Sequence, residues 1–439
     1  MDPDIALDSE VISLLDSVTQ KELKEIKRGI NAGVIKAWID TPPVVVNSML
    51  GYLLPFEKKL IVKWVEDNES AWQEYVAGSS KSYCYNEYRY RDKEEGGFLW
   101  NISWSHLIVV RQLSRLGVWR SRIDLEQGRT KQALEDCIAV ARTGSHWQRK
   151  RTLIEQLIGM GIGSIANDGI FHIVANQRFS ITELEQLQIQ LSQIYQEDYP
   201  FMDMEYQKLA FLDVVQHSFT DGGPGGGHLI PRKEAFFDDM YEDVVGMTED
   251  IPFGRGFFKN ATLTSMCLLH ARRDATVEFG RQIYDKQDMV ASMSPYERHK
   301  RNLISTEEII LSMPMYRYAL LYHLMPAVDR VSNSFYRGKA LHEATIATLA
   351  IQRWRLEKEE YPTTLDELIE AGYLKELPKD PYSDKALIYK KIEDNFVLYS
   401  IGRNFKDDGG KVFEEHGDVQ EWGTFEEGDA VFWPVAKLR

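Results

Sequence analysis

One proline in the last quarter of the chain, Pro362, constrains the fold of that region more than any other residue. Before it, apolar residues recur at alternating steps of four and three, as on one face of a helix: Ala340, Ala344, Ala347, Ile351 and Trp354. A proline cannot continue a helix that precedes it, so we expect one long helix to end at Tyr361-Pro362. Thr363 or Thr364 can then cap a short helix, Leu365 to Glu370, that stops at Gly372.

Two runs of alternating residues follow Asp380-Pro381. They are Ala386 to Lys390 and Asn395 to Ile401, and charged residues separate them. Alternation with a period of two is typical of strands, and a short polar separation predicts an antiparallel hairpin. The fold predicted for this region is therefore one long helix packed on a small antiparallel sheet.

Five short motifs in this region carry a resemblance to a known family. They are Tyr361-Pro362-Thr363-Thr364, Gly372-Tyr373-Leu374, Leu377-Pro378-Lys379-Asp380-Pro381, Leu398-Tyr399-Ser400-Ile401-Gly402 and Asp408-Gly409-Gly410. In kind and order they resemble the periplasmic domain of the major pseudopilin of type II secretion systems. The resemblance implies an α+β pseudopilin-like module over residues 333–439 and favours the extracytoplasmic side of the cell envelope. It implies no function, because pseudopilins polymerise through a hydrophobic N-terminal helix.

The same resemblance implies a calcium site. Major pseudopilins resemble one another in binding calcium in an Asp/Gly-rich loop after the Tyr-Ser-x-Gly strand. Asp408 and Asp429 are the matching positions here, and Asp407 stands beside Asp408. Calcium takes six to eight hard oxygens, which carboxylates and carbonyls of glycine turns supply. The alternative is a solvated acidic loop without metal, because Lys411 to Phe425 inserts more chain than the family has.

Residues 1–332 are predicted to form a mainly α, helical domain. Leu99 to Trp147 has strong helical spacing with a turn at Gly128, and Ala133-Leu134 after it resembles a tetratricopeptide-type hairpin in a single copy. Leu153 to Ile165 is apolar nearly all round, which predicts a central buried helix. Its small residues, Gly159, Gly161, Gly163 and Ala166, are expected to let other helices approach closely.

Two further segments have the composition of binding sites. The Gly-rich stretch 221–228 lacks the Gly-Lys-Ser/Thr ending of a phosphate-binding P-loop, so we expect a flexible connector. Four tyrosines crowd another segment: Tyr83, Tyr85, Tyr88 and Tyr90. They could stack on a ligand, but packing against the helices is the favoured interpretation.

Composition limits the partners and the compartment. A net charge of −15 argues against a nucleic-acid partner, because phosphate binding needs a basic surface. Three scattered cysteines indicate neither a disulfide framework nor a zinc site. No run reaches the roughly 18 apolar residues that span a bilayer, and the first residues do not resemble a signal peptide. Membrane association is expected only through an anchor that this chain lacks.

Most of the chain from Leu99 onward resembles an uncharacterised family common in planctomycete-like bacteria. The residues that prompt this include Phe219-Thr220-Asp221-Gly222 and Pro295-Tyr296-Glu297-Arg298. No Gly-x-Ser-x-Gly and no His-Glu-x-x-His motif occurs in the sequence. The leading hypothesis is a non-enzymatic scaffold or interaction protein of the bacterial cell envelope, with other proteins as partners. The alternatives are an envelope hydrolase or carbohydrate-binding protein with an aromatic-lined cleft, and a pilus-like assembly subunit.

Overall fold

The structure is a computed structural model of the chain. It describes residues 55–90, 99, 102–195, 202–230, 267–325, 328–411, 414–415, 418–419 and 428–434. Much of the predicted insertion between Lys411 and Phe425 lies outside these residues. The described chain is mainly helical and carries a small three-stranded antiparallel sheet near its C-terminus. Both features were predicted from the sequence and are confirmed.

Seven helices build the first part of the helical body that the structure describes. They are α1 (Pro55–Asp67), α2 (Glu69–Ser79), α3 (Ser105–Glu126), α4 (Thr130–Gln148), α5 (Leu153–Asn176), α6 (Ile181–Ile194) and α7 (Glu205–Ser218). Six more follow: α8 (Arg273–Ser292), α9 (Pro295–Lys300), α10 (Thr306–Ser312), α11 (Met315–Leu324), α12 (Val328–Lys358) and α13 (Asp366–Glu370). The turn between α3 and α4 contains Gly128 at a φ of 75°, as the sequence predicted.

The C-terminal sheet has the strand order β1-β2-β5. Its strands are β1 (Ile388–Ile392), β2 (Asn395–Ser400) and β5 (Ala430–Trp433), and a separate ladder pairs β3 (Glu414–Glu415) with β4 (Asp418–Val419). The β1-β2 hairpin confirms the prediction, whereas β5 was not foreseen. The rings of Phe396 on β2 and Trp433 on β5 stack with centroids 5.3 Å apart, so β5 completes the core of the sheet.

Helix α12 connects the two parts of the fold. Near its start, Val328 and Phe335 lie in the core formed by α7, α8, α10 and α11. Further along, the predicted alanine stripe is buried against β1, β2 and β5. The helix ends at Lys358, three residues before Tyr361-Pro362, and α13 follows as predicted. Neither threonine caps α13: its N-cap residue is Leu365, and the Thr363 N–H donates to the Glu367 carboxylate instead.

Helix α5 is the buried helix of the body, as predicted. It begins in a capping box formed by Thr152 and Glu155 and packs on α3, α4 and α12. By length and composition it is also apolar enough to cross a membrane, with a mean hydropathy of 1.4 over its most apolar window. This finding corrects the expectation that no segment of the chain is apolar enough to span a bilayer. It is weak evidence for a span, because half of that window is buried inside the protein and core helices pass the same test.

Glycines bring the backbones of α4 and α5 into contact. A Cβ added to Gly159 would lie 2.3 Å from the Gln148 backbone nitrogen, and one added to Gly144 would lie 2.7 Å from the Gly163 nitrogen. No side chain fits at such distances from backbone. Gly161 faces open space instead, so the predicted close approach holds for Gly159 and Gly163 and is wrong for Gly161.

Replacing Gly159 with alanine is expected to destabilise the protein by about 3 kcal/mol or more, because the methyl group would push two backbones apart. Gly161→Ala is the matched control on the same helix. It should leave stability unchanged or raise it by up to ~1 kcal/mol through helix propensity. Urea unfolding followed by circular dichroism measures both. Equal midpoints for the two variants would contradict the close crossing of α4 and α5.

The residues that flank the Gly-rich loop 221–228 pair with each other and hold its two ends together. Phe219 pairs with Leu229 in a β-bridge, and the Thr220 N–H donates to the His228 carbonyl at 2.9 Å. A short 3₁₀ turn, Pro224–Gly226, lies against the start of α8. These contacts fix where the loop begins and ends, and its flexibility stays a prediction.

A buried carboxylate on α4, that of Asp136, makes stability depend on pH. Burial raises its pKa to about 7, although Gln132 donates to it at 3.2 Å and the Arg120 Nε lies 3.6 Å away. Because the folded pKa exceeds the unfolded one, the folded state binds the proton more tightly. This contribution to stability is therefore present at low pH and is lost as pH rises through about 7.

Asp136→Asn is expected to flatten the pH dependence of the unfolding free energy between about pH 4 and pH 7. The variant is expected to lose a pH-dependent change in unfolding free energy of about 4 kcal/mol over this range, at about 1.4 kcal/mol per pKa unit. Urea unfolding at several pH values provides the measurement. Glu135→Gln, on the exposed neighbouring residue, is the control. A slope that survives in Asp136→Asn would show that another group titrates.

Candidate functional site

An open cleft of about 1130 Å³ lies where the helical body meets the C-terminal part. Its walls come from α9, the turn after α9, the start of α12, and the loop 401–411 that follows β2. The walls contain four cationic and three anionic side chains. The cations are Arg298, Arg403, Lys406 and Lys411, and the anions are Glu308, Asp329 and Asp408. The lining is therefore richer in cations than in anions, whereas the whole chain carries 67 acidic and 52 basic residues.

Arg298 forms the buried part of the body wall. The Ser294 hydroxyl accepts from the Glu297 N–H and starts α9, and this places Arg298 one turn into the helix. Its Nη2 donates to the Asn333 amide oxygen at 2.6 Å, so α9 is tied to α12. Only 8% of the residue is exposed, and burial lowers the pKa of its guanidinium.

Phe405 holds the opposite wall in place. Its φ is 58°, in the left-handed region that costs free energy for a residue with a Cβ. Its ring stacks on the imidazole of His299 in α9, with centroids 4.0 Å apart and planes 10° apart. It also meets the buried ring of Tyr382 edge on, at 5.8 Å. These ring contacts offset the backbone strain and join the loop to the body.

A second constraint on the loop is the fully buried carboxylate of Asp380. One oxygen accepts from the Tyr382 N–H at 3.0 Å and the Ser400 hydroxyl at 2.7 Å. The other accepts from the Ser383 hydroxyl at 3.0 Å and the Ile401 N–H at 3.2 Å. The carboxylate thereby fixes the chain at the end of β2, where the loop 401–411 begins.

Asp380→Asn is expected to cost about 3 kcal/mol, because an amide nitrogen would face donors that now share a carboxylate oxygen. The measurement is urea unfolding of the full chain. Asp394→Asn, in the exposed turn between β1 and β2, should change stability by less than ~0.5 kcal/mol. Similar losses in both variants would contradict the role of Asp380.

The three predicted calcium ligands lie in one loop region, but their carboxylates are occupied by loop contacts. Asp429 accepts from the Asp408 N–H at 3.2 Å and the Gly410 N–H at 2.6 Å. Asp407 accepts from the Tyr399 hydroxyl at 2.8 Å, and this bond lowers its pKa, whereas burial raises that of Asp429. Asp408 accepts from the Asn404 amide and lines the cleft.

In the part of the chain that the structure describes, no group of three or more His, Cys, Asp or Glu side chains is arranged to hold a metal ion. Calcium binding at Asp407, Asp408 and Asp429 stays a prediction, as does its alternative, a loop closed by its own hydrogen bonds.

The tyrosine segment differs from expectation at two positions. Tyr83 and Tyr85 are 72% and 71% exposed, so they do not pack against the helices. Tyr88 and Tyr90 are also exposed, although less so. The segment is extended, and a bridge between Tyr90 and Ile102 holds its end.

Sequence reasoning missed the cationic residues of the cleft. Arg298 was noted only as part of a motif, and Arg403 and Lys406 lie within four residues after Gly402. A signal was present, because Arg403, Lys406 and Lys411 interrupt an otherwise acidic C-terminal region. What the sequence could not supply was their proximity to α9, about a hundred residues earlier.

Fold and site together define a mainly helical protein with a C-terminal three-stranded sheet and a cation-rich cleft between them. No protein-family model matches the chain, and comparison with the curated proteins and with the solved structures gives no match either.

Proposed function

We propose that this chain is a non-enzymatic interaction protein that holds an acidic segment of a partner protein in the cleft between the helical body and the C-terminal part. The observation that carries the proposal is the charge of the lining. Two arginines and two lysines line the cleft against three carboxylates, a formal surplus of one positive charge in a chain whose net charge is −15. A cationic cleft on an acidic protein attracts an anionic partner and repels other copies of the same surface.

Two of the three carboxylates of the lining accept hydrogen bonds from uncharged groups. Asp329 accepts from the Thr306 N–H at 2.9 Å, and Asp408 accepts from the Asn404 amide at 2.7 Å. Both are thus satisfied by neutral donors. Arginine guanidinium groups are suited to carboxylates because they donate two parallel hydrogen bonds. Arg403 is the residue we assign to bidentate recognition. Arg298, whose Nη2 is held by Asn333, adds positive charge from the buried wall, and Lys406 and Lys411 act as point charges at the edge.

The size and the rigidity of the cleft also favour a peptide segment. Small-molecule pockets usually enclose about 300–1,000 Å³, and this cleft is larger and open. Its walls are already joined by the Phe405–His299 stack and by the Tyr296 N–H, which donates to the Pro381 carbonyl at 3.0 Å. Binding therefore costs little reorganisation of the protein.

The more specific features of the sequence analysis belong to this proposal. The order of long helix, short helix and hairpin supports a pseudopilin-like module, and the α3–α4 pair supports a tetratricopeptide-like element within the body. An envelope location and a calcium-dependent loop beside the cleft follow from the same resemblance. A calcium ion there would add positive charge to the edge of the cleft, which agrees with an acidic partner.

The double variant Arg403→Gln/Lys406→Gln is expected to weaken binding of a fluorescent oligoglutamate peptide about ten-fold, a loss of about 1.4 kcal/mol. Fluorescence anisotropy measures the affinity, and binding should weaken further as salt is added. The double variant Arg281→Gln/Lys375→Gln is the matched control, because it removes the same charges from exposed positions outside the cleft.

An unchanged affinity in the cleft variant, or an equal loss in both variants, would overturn the proposal. The second outcome would mean that the peptide senses only the net charge of the protein.

A further inference from the structure

A second candidate site lies on the body, around the starts of α3 and α5. We name it the aromatic ledge and define it by Tyr83, Tyr85, Tyr88, Trp104 and His106. The rings of Tyr83 and Tyr85 stack with centroids 6.5 Å apart, and both are about 70% exposed. Tyr88 meets Trp104 edge on at 6.4 Å, and Trp104 lies 6.3 Å from His106. Exposed aromatic groups of this size are uncommon on a protein surface without a binding role.

One lysine connects the two halves of the ledge. The Lys150 ammonium lies over the ring of Trp147 and donates to the Cys84 carbonyl, between Tyr83 and Tyr85. Trp147 is buried and stacks on His106, with centroids 5.5 Å apart. The tyrosine pair and the Trp104–His106 pair therefore share one support.

Under the ledge lies the fully buried carboxylate of Glu155. Its Oε2 accepts from the Tyr88 hydroxyl at 2.7 Å and from the Thr152 hydroxyl at 2.6 Å. These bonds belong to the capping box of α5, which accounts for Oε2 but not for the other oxygen. Burial and the adjacent carboxylate raise the pKa of Tyr88, so its hydroxyl stays a donor.

Within the part of the chain that the structure describes, neither the other oxygen, Oε1, nor the Nε2 of His106 has a hydrogen-bond partner. The two atoms are 3.8 Å apart, too far for a direct hydrogen bond. Both are buried, yet 30% of the His106 side chain is exposed, so the ring links the carboxylate to the surface. A buried acceptor without a donor costs about 1–3 kcal/mol, which a ligand hydroxyl group would recover.

We propose that the aromatic ledge binds a neutral saccharide. The partly exposed His106 ring turns aside on binding, which opens Glu155 Oε1 to one sugar hydroxyl as donor and His106 Nε2 to the same hydroxyl. The apolar faces of the sugar rings lie on Trp104 and on the tyrosines. The net charge of −15 disfavours acidic sugars. A proline-rich peptide would also stack on the tyrosines, but its rings carry no hydroxyl for the Glu155–His106 pair. This site is separate from the cleft and does not depend on the proposed function.

The test is isothermal titration of the full chain with cellohexaose, with chitohexaose and with a proline-rich peptide. Binding of at least one oligosaccharide is expected. Tyr83→Ser and Tyr85→Ser should each weaken it about ten-fold, because stacking on an aromatic ring contributes about 1 kcal/mol or more. Tyr316→Ser is the matched control, since Tyr316 is 58% exposed on another surface. It should bind as the unaltered chain does.

Glu155→Gln separates binding from folding. Glutamine also completes a capping box, so the thermal midpoint should stay close to that of the unaltered chain. Saccharide binding should nevertheless weaken about ten-fold, because a charged acceptor makes the stronger hydrogen bond. Absence of binding to both oligosaccharides, or binding that Glu155→Gln and the two tyrosine variants leave unchanged, would overturn the proposal. Binding of the proline-rich peptide alone would assign the ledge to a protein partner instead.

Discussion

The arrangement of this protein depends on one helix, α12, being buried along most of its length in two different cores. Its first turns pack with α7, α8, α10 and α11, and its alanine stripe packs on the sheet. A helix is rigid over its 31 residues, so the two cores cannot move independently without breaking its hydrogen bonds. The junction cleft keeps its shape for this reason, because Asp329 and Asn333 near the start of α12 form part of its wall.

Local signals in the sequence were sufficient for the elements on either side of the cleft. The alanine stripe predicted α12 because small residues at helical spacing allow a sheet to approach closely, and Pro362 set the limit of that helix. Alternating residues predicted the β1-β2 hairpin. Gly128 predicted a turn because it takes a positive φ. In each case the information lies within a few residues.

The cleft and the ledge required information that no local pattern carries. His299 and Phe405 are about a hundred residues apart and meet only because α9 packs beside the loop after β2. Glu155 looks like an ordinary capping residue, and the distance from its free oxygen to His106 is a result of how α3 crosses α5. Strand β5 was missed because Glu426-Glu427-Gly428-Asp429 suggested an acidic loop, whereas Phe432 and Trp433 bury their rings on β2.

The position of α5 in the chain has a consequence for synthesis on the ribosome. This helix packs on α4, which is made before it, and on α12, which begins about 150 residues after α5 ends. Because the ribosome adds about 5–20 residues per second, the side of α5 that α12 covers stays uncovered for on the order of 10 s. During this interval the nascent chain presents a helix with the length and hydropathy of a membrane segment. Chaperones that shield apolar helices would then act on the unfinished chain, although the finished fold covers that surface.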